Sequence, residues 1–166
     1  MNLRSHAMQM AQYNHWMNNK LLNAAALLTD DERKKNIGAF FGSFHGTMNH
    51  ILATDRIWMA RFTASDHGVQ TLADILYDDY VLFRTARKEM DKKIIDWART
   101  LIEPPEHLTY NKMSGMKEQV QLDFNTCVVH WFNHQTHHRG QATTILIQLG
   151  LDPGATDLIA MPSAAV

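Results

Sequence analysis

His134 and His138 lie four residues apart in a segment, about Phe124 to Gly150, that reads as one continuous helix. On a helix that spacing puts both imidazoles on one face, a turn apart. Two imidazoles so placed can ligate the same divalent ion, as in other helical His-x-x-x-His sites. Phe124, Cys127, Trp131, Ala142, Ile145 and Leu149 recur around them at three- and four-residue steps, so the histidine face should point inward. A buried polar pair with no partner is costly, which calls for a group on another element to meet it. The pair alone is weak evidence: ten histidines in 166 residues give about 0.6 such pairs by chance. Core histidines satisfied by hydrogen bonds would show the same pattern.

A third ligand can come from a second helix, about Phe40 to Phe62. Phe44, Met48, Ile51, Asp55, Trp58 and Phe62 form its apolar stripe, interrupted only by Asp55. His50 flanks that stripe midway along the helix, between Thr47 and Thr54, and is the best third ligand. Three neutral imidazoles with a vacant fourth position make the open, catalytic kind of zinc site. The same donors suit Zn²⁺ or Ni²⁺, with Fe²⁺, Mn²⁺ and Cu²⁺ as alternatives. His130 competes, because His130, His134 and His138 step along one face. Positions 130 and 138 are about 12 Å apart along the axis, so the pair is either 130/134 or 134/138. His137 should sit at the rim, and His15 and His45 should be ordinary histidines. Asp55 is either a carboxylate reaching solvent or an acceptor for a metal-bound imidazole. Asp55, Gln141 and Asn14 are the polar groups that could orient a substrate. Histidine ligation needs neutral imidazole, so metal affinity is expected to fall below about pH 6.5.

The elements that must position these residues read as four helices. The first spans residues 3 to 28, and Thr29-Asp30-Asp31-Glu32 then caps a short turn. The second is described above. The third is expected from a capping-box-like Thr71-Leu72-Ala73-Asp74 to about Leu101, stopped by Glu103-Pro104-Pro105. Residues 107 to 122 alternate apolar and polar across Ser114-Gly115 and predict a short β-hairpin. The fourth helix runs from about Asp123 to Leu149 and stops at Gly150. This is an all-α fold, a four-helix bundle in one domain over residues 1–166, with the hairpin between helices three and four.

Composition narrows the function. The chain is 45% hydrophobic and 20% charged, with a net charge of −1 and no block of like charges. Nothing there favours nucleic acid or an anionic membrane surface. Cys127 is the single cysteine, so there is neither an internal disulfide nor a cysteine zinc site. No apolar leader and no run of about 18 apolar residues is present. These features together predict a cytoplasmic protein.

The segment His50-Ile51-Leu52-Ala53-Thr54-Asp55-Arg56-Ile57-Trp58 resembles the His…Asp-x-x-Trp element of the DinB/YfiT-like metalloenzyme family. His134-Gln135-Thr136-His137-His138-Arg139-Gly140-Gln141 is similar to that family's His-x-x-x-His-Arg-Gly-Gln element. Tyr13-Asn14-His15-Trp16, Gly150-Leu151-Asp152 and Asp157-Leu158 are similar as well. The resemblance implies an up-down-down-up four-helix bundle, a homodimer, and one divalent ion per chain on His50, His134 and His138. It also implies thiol-transferase chemistry of the kind found in bacillithiol and mycothiol S-transferases. A small-molecule substrate with a low-molecular-weight thiol follows from that. The alternative is a non-catalytic metal-binding stress-response protein. Trp58, Phe62, Trp97 and Trp131 exceed what one bundle face needs, which agrees with a homodimer.

Overall fold

The computed structural model describes residues 2–113 and 118–162. The described residues form five α-helices, one two-stranded sheet and a short 3-10 turn at Leu158–Ala160: α1 (Leu3–Ala25), α2 (Asp30–Lys34), α3 (Phe44–Thr63), α4 (Tyr80–Arg99), β1 (His107–Asn111), β2 (Gln119–Asp123) and α5 (Phe124–Gln148). Side chains that satisfy orphan backbone N–H groups start each helix. Asn2, Thr29, Ser43, Asp79 and Asp123 cap α1 to α5 in turn. Thr29 forms a full capping box with Glu32. α5 ends at Gly150, where φ is 84°. The Gly150 N–H then donates to Ile147 O and the Leu151 N–H to Leu146 O, closing the last turn.

The four long helices form a square in which α1 and α3 face α4 and α5. Their directions follow from which residues meet. Between α1 and α4, Leu22 meets Tyr80 and Asn18 meets Asp91, so this pair is antiparallel. Between α3 and α5, His50 meets His138 and Trp58 meets His130, again antiparallel. Between α1 and α5, His6 meets Phe132 and Asn14 meets Gln135, so these run parallel. Between α3 and α4, His45 meets Phe83 and Phe62 meets Trp97, also parallel. The result is an up-down-down-up bundle. The hairpin pairs β1 with β2 in antiparallel register, Leu108 opposite Leu122 and Tyr110 opposite Val120. The expected turn at Ser114-Gly115 lies outside the described residues. Tyr110 packs edge-on to Trp58, their rings 5.6 Å apart, which attaches the hairpin to α3.

Trp58, Phe62, Trp97 and Trp131 stack on one another inside the bundle, with ring centroids 4.8 to 5.8 Å apart. They are core and carry no argument for a second copy. A buried polar chain crosses the same interior. Asp55 accepts from Trp131 Nε1 at 2.8 Å, Gln135 Nε2 at 2.5 Å and Arg87 Nη1 at 2.6 Å. Arg87 also pairs with Asp91 at 2.9 Å, Asp91 accepts from Asn18, and Gln135 accepts from Asn14. One network therefore ties all four long helices together. No helix among the described residues is long and apolar enough to cross a membrane.

The third long helix begins nine residues later than the sequence predicts, at Tyr80 rather than Thr71. The local signal is real: Thr71 N and Oγ1 both donate to the Asp74 carboxylate. Tertiary contacts override it at Tyr77, six residues after Thr71. Buried Asn49 on α3 accepts from Tyr77 N at 3.1 Å and donates to Tyr77 O at 3.3 Å. A backbone held from both sides by another helix cannot also close i to i+4 bonds, so Asp79 starts the helix instead.

Candidate metal centre

α3 and α5 bring three imidazole Nε2 atoms to one point. His50 Nε2 lies 3.2 Å from His138 Nε2 and 3.4 Å from His134 Nε2, and the last two are 3.1 Å apart. Among the described residues these three form the group of His, Cys, Asp or Glu close enough to hold a metal ion. A tetrahedral ion with nitrogens at about 2.0–2.1 Å needs those nitrogens about 3.3 Å apart. The separations match that requirement.

The outer nitrogens explain the orientation. His50 Nδ1 lies 2.7 Å from the Leu72 carbonyl oxygen, which can only accept, so the proton sits on Nδ1 and Nε2 carries a bare lone pair. His138 Nδ1 lies 2.8 Å from Gln141 Oε1 and is held in the same tautomer. His134 Nδ1 is buried without a partner. At most one proton is then shared among three converging Nε2 atoms. A cluster of lone pairs aimed inward is what a cation resolves, and it is poorly explained as a set of hydrogen-bonded core histidines.

Electrostatics point the same way. Burial lowers the His50 pKa to about 4, against the partly compensating Leu72 carbonyl. His134 falls to about 3 through burial and the neighbouring His138 and His50. His138 is lowered by burial as well. All three stay neutral at physiological pH, the form that ligates.

Phe41 covers the cluster on one side. Its ring stacks on His50 at 3.8 Å and meets His138 edge-on at 5.5 Å. Gly46 makes that cover fit: a Cβ there would lie 2.2 Å from the Phe41 carbonyl oxygen, too close for any other residue without a backbone shift. On the other side His50 and His134 open onto a cavity of about 770 Å³. Its walls are Thr54, Ile57, Trp58 and Arg61 from α3, residues 70–73, then Tyr110, Lys112 and Met113, and His130.

His130 is exposed, packs beside Trp58 and joins the cavity wall rather than the cluster. The structure thus brings together 134/138 with His50. His137 is at the exposed rim, and His15 is half exposed beside Asp91. His45 is buried and bonded to Asn49. Asp55 meets neither expectation. It is fully buried and reaches no imidazole, because Trp131, Gln135 and Arg87 occupy its carboxylate. Asn14 belongs to the same network and does not line the cavity. Gln141 orients His138 instead of a substrate. Sequence reasoning missed Leu72 and Phe41. Leu72 acts through a carbonyl that a helix starting at Thr71 would have consumed. Phe41 stands in an irregular connector whose one cue is the glycine at position 46.

An all-α bundle with a hairpin at one end and an inward-facing three-histidine cluster is the class of protein that fold and site define. The model of the DinB family matches residues 1–165, and the chain belongs to that family. It is also 24% identical to Protein DinB of Bacillus subtilis (strain 168) over 171 residues, covering 91% of this chain and 90% of that one.

Proposed function

We propose that the protein binds one divalent ion through His50, His134 and His138 and acts as a metal-dependent enzyme of the thiol-transferase type. The observation that carries this reading is three converging Nε2 atoms on neutral rings, two of which, His50 and His134, open onto a cavity large enough for a small organic molecule. Zn²⁺ and Ni²⁺ are the favoured ions. When bound, such an ion supplies Lewis acidity that lowers the pKa of a thiol or water. The chain's own residues position it: Leu72 O and Gln141 Oε1 hold two rings in register, and Phe41 keeps water from their outer face. The open side of the cluster favours catalysis over sequestration, which would be served by a closed four-ligand site.

The thiol is supplied from outside. Cys127 is 1% exposed, and burial and Asp123 push its pKa up, so it stays protonated and out of reach. The test has two parts. Metal content after chelator-free purification should be near one ion per chain and should be lost in His50→Ala, His134→Ala and His138→Ala but kept in His130→Ala. A panel of low-molecular-weight thiols with a chromogenic electrophile should show turnover that vanishes with chelator and survives in Cys127→Ser. A metal site emptied by His130→Ala would overturn the ligand assignment. No turnover with any thiol and metal would overturn the catalytic reading.

A further inference from the structure

The α3 face that carries His50 continues through Thr54, Ile57 and Trp58 to Arg61, and all five line the cavity. Eleven residues is close to three full helical turns, so Arg61 stands on the same face as His50, with its Cα about 16 Å further along the axis. The Arg61 guanidinium sits in the corner of two aromatic rings that meet edge to face, 4.6 Å from the Trp58 ring centre and 4.0 Å from that of Tyr110. Cation–ring contacts use none of the guanidinium N–H groups, which stay available as donors to another group.

No acid takes that edge among the described residues. The titratable groups that act on Arg61 are Tyr110 and Cys127, neither of them a carboxylate. Lys112, the other cation in the wall, is already paired with Glu118 at 2.6 Å. The sequence Ser114-Gly115-Met116-Lys117, outside the described residues, contains no acidic residue. A half-buried cation with no counter-ion among the described residues, at the far end of an apolar wall from the three-histidine cluster, is placed to receive an anion from outside.

We propose that Arg61 is the anchor for an elongated organic anion, a molecule with a carboxylate or phosphate head, an apolar middle, and its reactive end at the histidine cluster. Ile57, Trp58 and Leu72 line the stretch between the two ends. The identity of the reactive end rests on the proposed metal-dependent function; the anchoring of the head by Arg61 does not.

Isothermal titration at pH 7.5 with octanoate, octyl phosphate and octanol tests this without turnover. In chelator-treated wild-type protein, at least one of the two anions should bind about tenfold or more tighter than octanol, as a charge-assisted hydrogen bond provides. Whichever anion leads identifies the head group. In Arg61→Met the preference should disappear while octanol binding is unchanged, which separates anchoring from a purely structural role for the stacked guanidinium. Equal binding of anion and alcohol in the wild type would overturn the proposal even if the variant failed to fold. So would a preference that survives in Arg61→Met, or one that appears only after zinc is added, because the ion would then be holding the head. Wild-type and Arg61→Met metal content are measured alongside. A wild type without metal but with the anion preference would sink the proposed enzyme and leave the anchor standing.

Discussion

Metal affinity should stay nearly level from pH 7.5 to 5.5, while the stability of the metal-free protein falls over the same range. Ordinary imidazoles, with a pKa near 6.5, would give the opposite pattern. At pH 5.5 each is only about 9% neutral, so two ligands would lose roughly 100-fold in affinity to proton competition. In the fold, burial holds His50 at about 4 and His134 at about 3. Both then remain more than about 90% neutral at pH 5.5, and proton competition at these two ligands removes almost nothing. The onset of acid release moves from about pH 6.5, the value expected from unperturbed histidines, toward pH 4.

The protons missing from the site reappear in the folding equilibrium. Below about pH 6.5 the unfolded chain protonates these two histidines and the native chain does not, so the unfolded state binds more protons and stability drops as pH falls. Stability present above pH 6.5 is lost progressively until the native pKa values are reached. At pH 5.5 the loss is on the order of 1 kcal/mol per histidine, or about 2–3 kcal/mol for the pair. His45, also lowered by burial, adds in the same direction. The assays are calorimetric Zn²⁺ or Ni²⁺ titrations at pH 7.5, 6.5 and 5.5, paired with urea unfolding of chelated protein in the same buffers. A hundredfold loss of affinity by pH 5.5 with unchanged apo stability would refute the reasoning, because the three imidazoles would then be solvated in the metal-free protein.

Three further outcomes are expected. Asp55→Ala strips the acceptor from Trp131 and Gln135 and leaves Arg87 with Asp91 alone; urea unfolding should register a loss of about 3–5 kcal/mol, and a loss under about 1 kcal/mol would mean the network is not closed. Gly46→Ala drives a methyl group against the Phe41 carbonyl and should cost about 1–3 kcal/mol while weakening metal binding, since Phe41 stacks on His50; unchanged affinity would remove Phe41 from the site. A homodimer, as the family resemblance implies, should scatter light at about 38 kDa, and 19 kDa, the mass of one chain, would reject it.

What could be read from sequence and what could not divides along a physical line. The α5 histidines were legible because helix periodicity is local: four residues apart means one face, whatever the rest of the chain does. His50 was legible as a flank of an apolar stripe on α3. The choice between His130 and His138 was not legible from spacing, because both sit one turn from His134. It depends on the register of α3 against α5, which is a tertiary quantity. The start of α4 failed for the same reason. Thr71 and Asp74 carry a correct local signal, and Asn49, about 28 residues away in sequence, defeats it by holding Tyr77. Asp55 looked anomalous on an apolar stripe, and the anomaly was informative, but sequence could not say which donors would surround it.

Those donors connect the polar core to the site. Asp55 grips Trp131 and Gln135, and Gln135 is the immediate neighbour of His134 on α5. Asp55 itself lies five residues beyond His50 on α3. A slide of α3 past α5 by one helical turn would move these groups about 5.4 Å. It would separate His50 from both α5 histidines and pair it with a different turn of that helix. Apolar side chains alone tolerate such slides at modest cost, because Leu, Ile and Phe pack acceptably in several registers. A buried carboxylate with three directed donors does not, since each displaced donor is left unsatisfied in the core. The network at Asp55 therefore sets the register in which the three Nε2 atoms converge, even though it touches none of them. It also explains why so costly a buried charge sits on the same two helices as the histidines: the ligands come from elements that contact side by side, and only a directional, polar contact between those elements specifies which turn meets which.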